Sequence, residues 1–182
     1  DMVSDASSAN DGDGRDADAS DPGDWVTWAE ISQPGSSLFR CATSPENSSW
    51  HGTQLSGLIA ALTNNGIGMA GTAPSVRVLP VRVLGKCGGY TADINDAIVW
   101  AAGGTVGSLS ANPNPARVIN LSLGGGGACP ASTQAAINAA LGRGTVVAVA
   151  AGNSNSNAAR FWLRSRIGCR PRNNSCPVVS AI

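Results

Sequence analysis

The sequence predicts an α/β domain with a mostly parallel sheet flanked by helices, and three observations carry that prediction. Apolar runs of strand length, at residues 76–84, 117–121 and 145–151, alternate with small-residue segments of helical length. The runs are nearly continuous rather than alternating, as expected of strands covered on both faces. The chain has 182 residues, 23 of them glycine, which suits one core whose strands and helices approach closely, and not two cores.

Residues 1–24 read as an acidic Gly/Ala/Ser loop with few apolar side chains, and 25–50 as irregular chain broken by Pro34 and Pro45. Residues 53–62 read as a helix with Thr53 near its start and small or apolar residues on its inner side. The run 76–84 is rich in valine and reads as a buried parallel strand. A helix over 92–102, a short strand over 117–121 and a helix over 132–143 follow, the last closed by Gly144. A third apolar strand spans 145–151. In such sheets ligands bind beyond the carboxyl ends of the strands. Those ends are rich in glycine and polar residues here, which suits a cleft.

Net charge is zero, but eight of the twelve acidic residues lie within 1–24 and five of the twelve basic residues are arginines within 160–172. The flat total argues against nucleic acid as a partner, and the arginine run is too local to reverse that. No apolar run approaches the length of a membrane span, so no membrane association is expected. Cys41, Cys87, Cys129, Cys169 and Cys176 are widely spread with no Cys-x-x-Cys pair, which removes the usual zinc spacing. Spread cysteines in a Gly/Ser/Asn-rich chain fit disulfides in a secreted protein, with one cysteine left over. The opening Asp1-Met2-Val3-Ser4 reads like the interior of a larger protein, so a fragment is expected.

His51 is the only histidine, and so the only side chain whose ordinary titration falls near neutrality. It stands in Trp50-His51-Gly52-Thr53, where irregular chain turns into helix. Alone, a solitary histidine is more often a capping or packing residue than a base. Asn120-Leu121-Ser122-Leu123-Gly124-Gly125 ends a strand and exposes main-chain donors and acceptors to which an extended peptide could add. Alone, that is equally a glycine-rich connection. Ala150-Ala151-Gly152-Asn153 closes a buried strand with an amide that could donate to a developing oxyanion, or simply make a tight turn.

Taken together and in this order, the three segments resemble the subtilisin-like serine proteases, the subtilases. His51-Gly52-Thr53 with Gly57 and Ala60-Ala61 is similar to the histidine motif of that family. The Asn120 segment resembles a wall of the specificity cleft, and the Ala150 segment the oxyanion stretch. Val81-Arg82-Val83-Leu84-Gly85 is similar to the strand leading into the substrate-binding edge. The resemblance runs from about residue 50 to 157 and implies a three-layer subtilisin-like fold, present in part. It implies that His51 is the general base and Asn153 the oxyanion donor. Gly88, Gly89, Ser122, Leu123 and Gly124 would bind the substrate main chain, and Ala150, Ala151 and Gly152 would line the primary pocket. Peptides or proteins are the implied substrates, and a secreted, extracellular monomer the implied form.

The departures are as informative. The family's aspartate lies in an Asp-Thr-Gly or Asp-Ser-Gly motif ahead of the histidine, and its serine in Gly-Thr-Ser-Met-Ala; neither occurs here. Ser180 has neither the glycine nor the following helix. The expectation is a piece of a serine endopeptidase that carries the base, the oxyanion donor and the cleft and is inactive alone. The alternative is a non-catalytic extracellular module that binds calcium or peptide. Gln54 replaces a second histidine of the family, on the helix and away from the triad, with little effect expected. Residues 158–182, with Phe161, Trp162 and the arginine run, diverge from the family's short Pro/Ala connection.

Within 1–24, Asp11, Asp13, Asp16 and Asp18 alternate with glycine around Arg15. Calcium takes roughly six or more oxygens. These carboxylates with the Arg15 carbonyl are the expected ligands of a structural calcium, although no glutamate closes the loop as in an EF-hand. The resemblance also suggests disulfides between Cys41 and Cys87, and between Cys129 and Cys176 or Cys169.

Overall fold

The computed structural model describes residues 1–153 and 155. The divergent stretch 158–182, with Cys169, Cys176 and Ser180, lies outside the described residues.

Among the described residues, five helices and two strands follow in the order α1 (Ala6–Ala9), α2 (Trp28–Ser32), α3 (His51–Ala60), α4 (Thr91–Ala101), β1 (Val118–Leu121), α5 (Ala131–Gly142) and β2 (Val146–Val149). β1 and β2 pair in parallel, Val118 with Val146 through Leu121 with Val149, and α5 is the crossover between them. A parallel pair needs such a crossover because a tight turn cannot reverse the chain twice. Arg143 donates to the Ala139 carbonyl at 3.1 Å, and Gly144 leaves the helix at φ +82°. A cation and a left-handed glycine thus close α5 at the expected place.

The core lies where α4 and α5 cover this sheet. Ile98, Ile119, Ile137 and Val147 are almost fully enclosed, and Ala101, Ala136 and Ala140 let the two helices approach. Enclosing one aliphatic side chain of this size stabilises the fold by about 1.5–3 kcal/mol. The Ala101 carbonyl, one of those that the end of α4 leaves without a helical partner, accepts from Ala116 N at 2.7 Å and from the buried side chain of Asn112 at 3.1 Å.

Helices α3, α4 and α5 and strands β1 and β2 fall within two residues of their expected ends. Three expectations are corrected. Residues 76–84 form no named strand; Val81, Arg82 and Val83 are buried as a strand would be, but the main-chain bonds made by 76–84 are Met2 N to Arg82 O, 2.9 Å, and a local turn bond from Val76 N to Ala73 O, 3.1 Å. A run of valines sets burial, whereas a ladder needs a partner strand in register alongside it. Residues 25–50 are not wholly irregular, since α2 is held by a capping box. The Thr27 hydroxyl accepts from Glu30 N, and the Glu30 carboxylate accepts from Thr27 N. The acidic segment is not a loose loop. It contains α1, capped by Asp5 accepting from Ser8 N at 2.8 Å and ended by Asn10 in the left-handed region, and it buries Met2, Val3 and Ala9.

Two arginines fasten that segment. Arg15 donates to Asp93 at 2.6 Å, pairs with Asp96 at 2.7 Å and donates to the Met2 carbonyl at 3.0 Å. Asp93, 1% exposed at the start of α4, also accepts from the backbone and the hydroxyl of Ser4. Arg82 bonds Asp1 and Asp11, each at 2.6 Å, and the Ala9 carbonyl. A buried guanidinium is tolerated only with such a full set of acceptors.

Candidate active site

The His51 imidazole is delivered by the first residue of α3. Trp50 before it takes the left-handed conformation, φ +51°, and caps the helix without a side-chain bond. The expected start at Thr53 moves back two residues because the Thr53 hydroxyl is turned elsewhere, donating to Asp21 at 2.9 Å. Ser49 holds the approach: its N–H and its hydroxyl donate to Asp24 at 2.6 and 2.7 Å, and its own oxygen accepts from His51 N at 3.3 Å. Two carboxylates therefore stand at the N-terminus of α3, where the helix dipole favours negative charge. Sequence reasoning passed over both Asp21 and Asp24. Their link to the helix spans 25 to 32 residues and leaves no local pattern. Gln54 reaches back to the Ser49 carbonyl at 2.9 Å, away from the imidazole.

His51 is exposed on the rim of a cleft. Leu55 and Ser56 of α3 form one side, residues 80–84 another, and Ile94, Ala97 and Ile98 of α4 the floor. Residues 119–123, the end of β1 and the chain beyond it, form another wall, and Asp21 and Asp24 also line the cleft beside His51. Ser122 and Leu123 thus share this cleft with His51, as the resemblance implies. Asn120 donates to the Ser122 hydroxyl at 2.9 Å, fixing the turn out of the strand. The other implied contacts, Gly88, Gly89, Gly124 and the exposed Ala150, Ala151, Gly152 and Asn153, stand outside the lining of this cleft. Ala150 N donates to the Leu121 carbonyl at 2.9 Å, so the Ala150 segment leaves the sheet directly beside the wall formed by Ser122.

Gly88 and Gly89 lie in and after a tight turn. Gly85 N donates to Gly88 O at 2.9 Å, and Gly88 N to Gly85 O at 3.1 Å. Cys87 in this turn is joined to Cys41, with Cα atoms 5.7 Å apart, which is the first implied pairing. The two candidate partners of Cys129 lie outside the described residues. Gly89 admits no side chain, because a Cβ there would collide with the Val83 carbonyl.

The carboxylates of the acidic segment are engaged with other groups of the chain. Asp11 pairs with Arg82; Asp16 accepts from Asp18 N at 2.9 Å, and Asp18 from the backbone and hydroxyl of Ser20. The Ser20 hydroxyl and backbone bonds hold the Asp18 carboxyl below its ordinary range. The side chain of Arg15 is drawn to α4. Among the described residues no three His, Cys, Asp or Glu side chains gather as a metal would need. As placed, Asp11, Asp13, Arg15, Asp16 and Asp18 do not present a joint donor set.

Comparison with known proteins agrees with the motifs. A family model described as the subtilase family matches residues 14–169. An extracellular protease of Xanthomonas campestris pv. campestris is 55% identical over 157 residues, covering 86% of this chain and 26% of that protein. An extracellular basic protease of Dichelobacter nodosus is 45% identical over 166 residues, covering 91% of this chain and 27% of that protein. A solved structure titled as proteases from Pseudoalteromonas arctica superposes with a TM-score of 0.80 at 56% identity, covering 88% of this chain and 44% of that one. The chain thus spans about a quarter of the length of these two curated relatives.

Proposed function

The chain belongs to the subtilase family and has the subtilisin-like fold in part, and from that premise we propose that it is a portion of a secreted serine endopeptidase. The observation that carries the reading is the position of His51: the only imidazole of the chain stands at the head of α3, on the rim of a cleft whose far wall is the Ser122 segment. The names of the relatives support both secretion and proteolysis.

In this reading His51 takes the proton of a serine as that oxygen attacks the substrate carbonyl, and later gives it to the leaving amine. Asn153 donates to the oxygen that becomes negative in the tetrahedral intermediate. The main chain of Gly88 and Gly89 on one side, and of Ser122, Leu123 and Gly124 on the other, holds the peptide extended. Ala150, Ala151 and Gly152 leave room for a sizeable apolar side chain. The family's aspartate and serine motifs do not occur in these 182 residues; in this reading both groups are supplied by a longer polypeptide, and the 182 residues alone are expected not to hydrolyse peptides.

In the longer polypeptide, His51→Ala should remove most peptidase activity; near-wild-type turnover by that variant overturns the assignment. An Asp-Thr-Gly motif upstream in the coding sequence and Gly-Thr-Ser-Met-Ala downstream are expected. An uninterrupted gene lacking both would make the chain a non-catalytic binding module instead. Calcium at the acidic segment is a separate proposal resting on the spacing of its carboxylates, and binding there would have to draw Asp11 away from Arg82.

A further inference from the structure

Lys86 is a buried cation in the turn that carries Gly88, and the chemistry proposed above does not use it. The residue is only 5% exposed. Its ammonium pairs with Glu30 of α2 and lies 4.8 Å from the centre of a Trp25 ring. Its backbone is held as well: the N–H donates to the Ser8 carbonyl at 2.8 Å, and the carbonyl accepts from the Ser8 hydroxyl at 3.0 Å. The turn presses so closely on α1 that a Cβ at Gly85 would collide with that same Ser8 carbonyl. Cys87, at φ +65°, adds its covalent link to Cys41.

Stability alone does not ask for a lysine here. Burying an ammonium costs several kcal/mol before its partners offset it, and an apolar side chain of similar length commonly serves a core as well or better. A buried ion pair does supply a direction, because the ammonium is satisfied only where the carboxylate and the ring face stand. That direction is applied two residues before Gly88, in a turn whose next residue, Gly89, packs directly on the Val83 carbonyl.

We propose that Lys86 is a positioning residue: held by Glu30 and Trp25, it fixes the 85–88 turn so that the main chain of Gly88 and Gly89 keeps the spacing an extended peptide requires. This rests on the reading of Gly88 and Gly89 as the peptide-binding edge. Lys86 touches no substrate. It acts through the turn, and the ligand class it serves is a peptide recognised by its backbone rather than by its side chains.

The test uses the 182-residue chain and a blocked, apolar hexapeptide, with a twin N-methylated along its backbone as control. Lys86→Met should weaken binding of the hexapeptide by about tenfold or more, while Lys86→Arg, which keeps a cation on Glu30 and Trp25, should stay within about threefold of wild type. The N-methylated twin should bind weakly to all of them. Ile137→Val, a core change outside both the turn and the cleft lining, should lower thermal stability and leave the dissociation constant unchanged. Should Lys86→Met fail to fold, Glu30→Gln keeps the lysine, removes its anchor and should weaken binding in the same direction. Undiminished binding by Lys86→Met or Glu30→Gln overturns the proposal, as does equal loss in Ile137→Val. A wild-type chain that does not bind the hexapeptide overturns the edge assignment itself. In the longer enzyme, Lys86→Met should raise KM and leave kcat nearly unchanged.

Discussion

The hydroxyl of Thr53 donates to the carboxylate of Asp21 at 2.9 Å, so the third residue of α3 is tied to the acidic segment 32 positions earlier in the chain. This bond and the pair of bonds from Ser49 to Asp24 hold the start of the helix that carries His51, while Thr72 N and Ala73 N donate to the Leu58 and Ile59 carbonyls at its far end; α3 itself buries none of its side chains.

Replacing Asp21 by alanine removes both that bond and a favourable charge at the helix N-terminus. A loss of roughly 0.5–1.5 kcal/mol is expected, read as a lower thermal midpoint. Hydrogen exchange should localise the loss to the first turn of α3 and spare α4.

On the proposed role of Asn153 as oxyanion donor, Asn153→Leu should lower turnover of the longer polypeptide by roughly a hundred- to a thousandfold with little change in KM, because an oxyanion donor acts where charge develops and not where substrate rests. Steady-state kinetics on a peptide ester and a peptide amide would check this. A change confined to KM would assign Asn153 to binding instead.

The Lys86 ammonium, with the Thr27 hydroxyl and backbone assisting against some burial, holds the Glu30 carboxyl below its ordinary range. The folded state therefore favours the ionised form more than the unfolded chain does. That contribution to stability is complete above the unfolded carboxylate pKa and is lost as pH falls through the lower, folded value. Thermal midpoints of wild type and Glu30→Gln should differ most at neutral pH and converge in strong acid.

Titration of the chain with calcium should release heat and raise the thermal midpoint if Asp11, Asp13, Asp16 and Asp18 accept the ion. Arg82→Met should then tighten binding, since it frees Asp11 from its pair. Absence of both heat and stabilisation in wild type and variant withdraws calcium from this segment.

What the sequence made legible was whatever is written locally. The small-residue periodicity of α4 and α5, the stop at Gly144 and the apolar runs of β1 and β2 sit where their own residues place them. Thr27 and Glu30 are also a local signature, three residues apart, and α2 could have been found from them. The pairs that fix the acidic segment are of another kind. Ser4 and Asp93 are 89 residues apart and Arg15 and Asp93 are 78, and nothing in the chain between them announces the contact. The same holds for residues 76–84, whose valines announce burial but not which neighbour will complete a ladder. In the site, the order of the His51, Asn120 and Ala150 segments was legible through family likeness, while Asp21 and Asp24 became visible only when the chain was folded.

A helix with no buried side chain also has little to keep it shut. Local opening is easiest where few apolar contacts must be broken. α3 runs directly into Leu62, Ile67 and Met69, all well exposed, around the glycines at 66 and 68. Limited digestion of the isolated chain should therefore nick first between residues 61 and 71, leaving α4, β1, α5 and β2 as the resistant remnant. For a polypeptide from a family of proteases, the element that carries the proposed general base would be the first to be lost to its own kind.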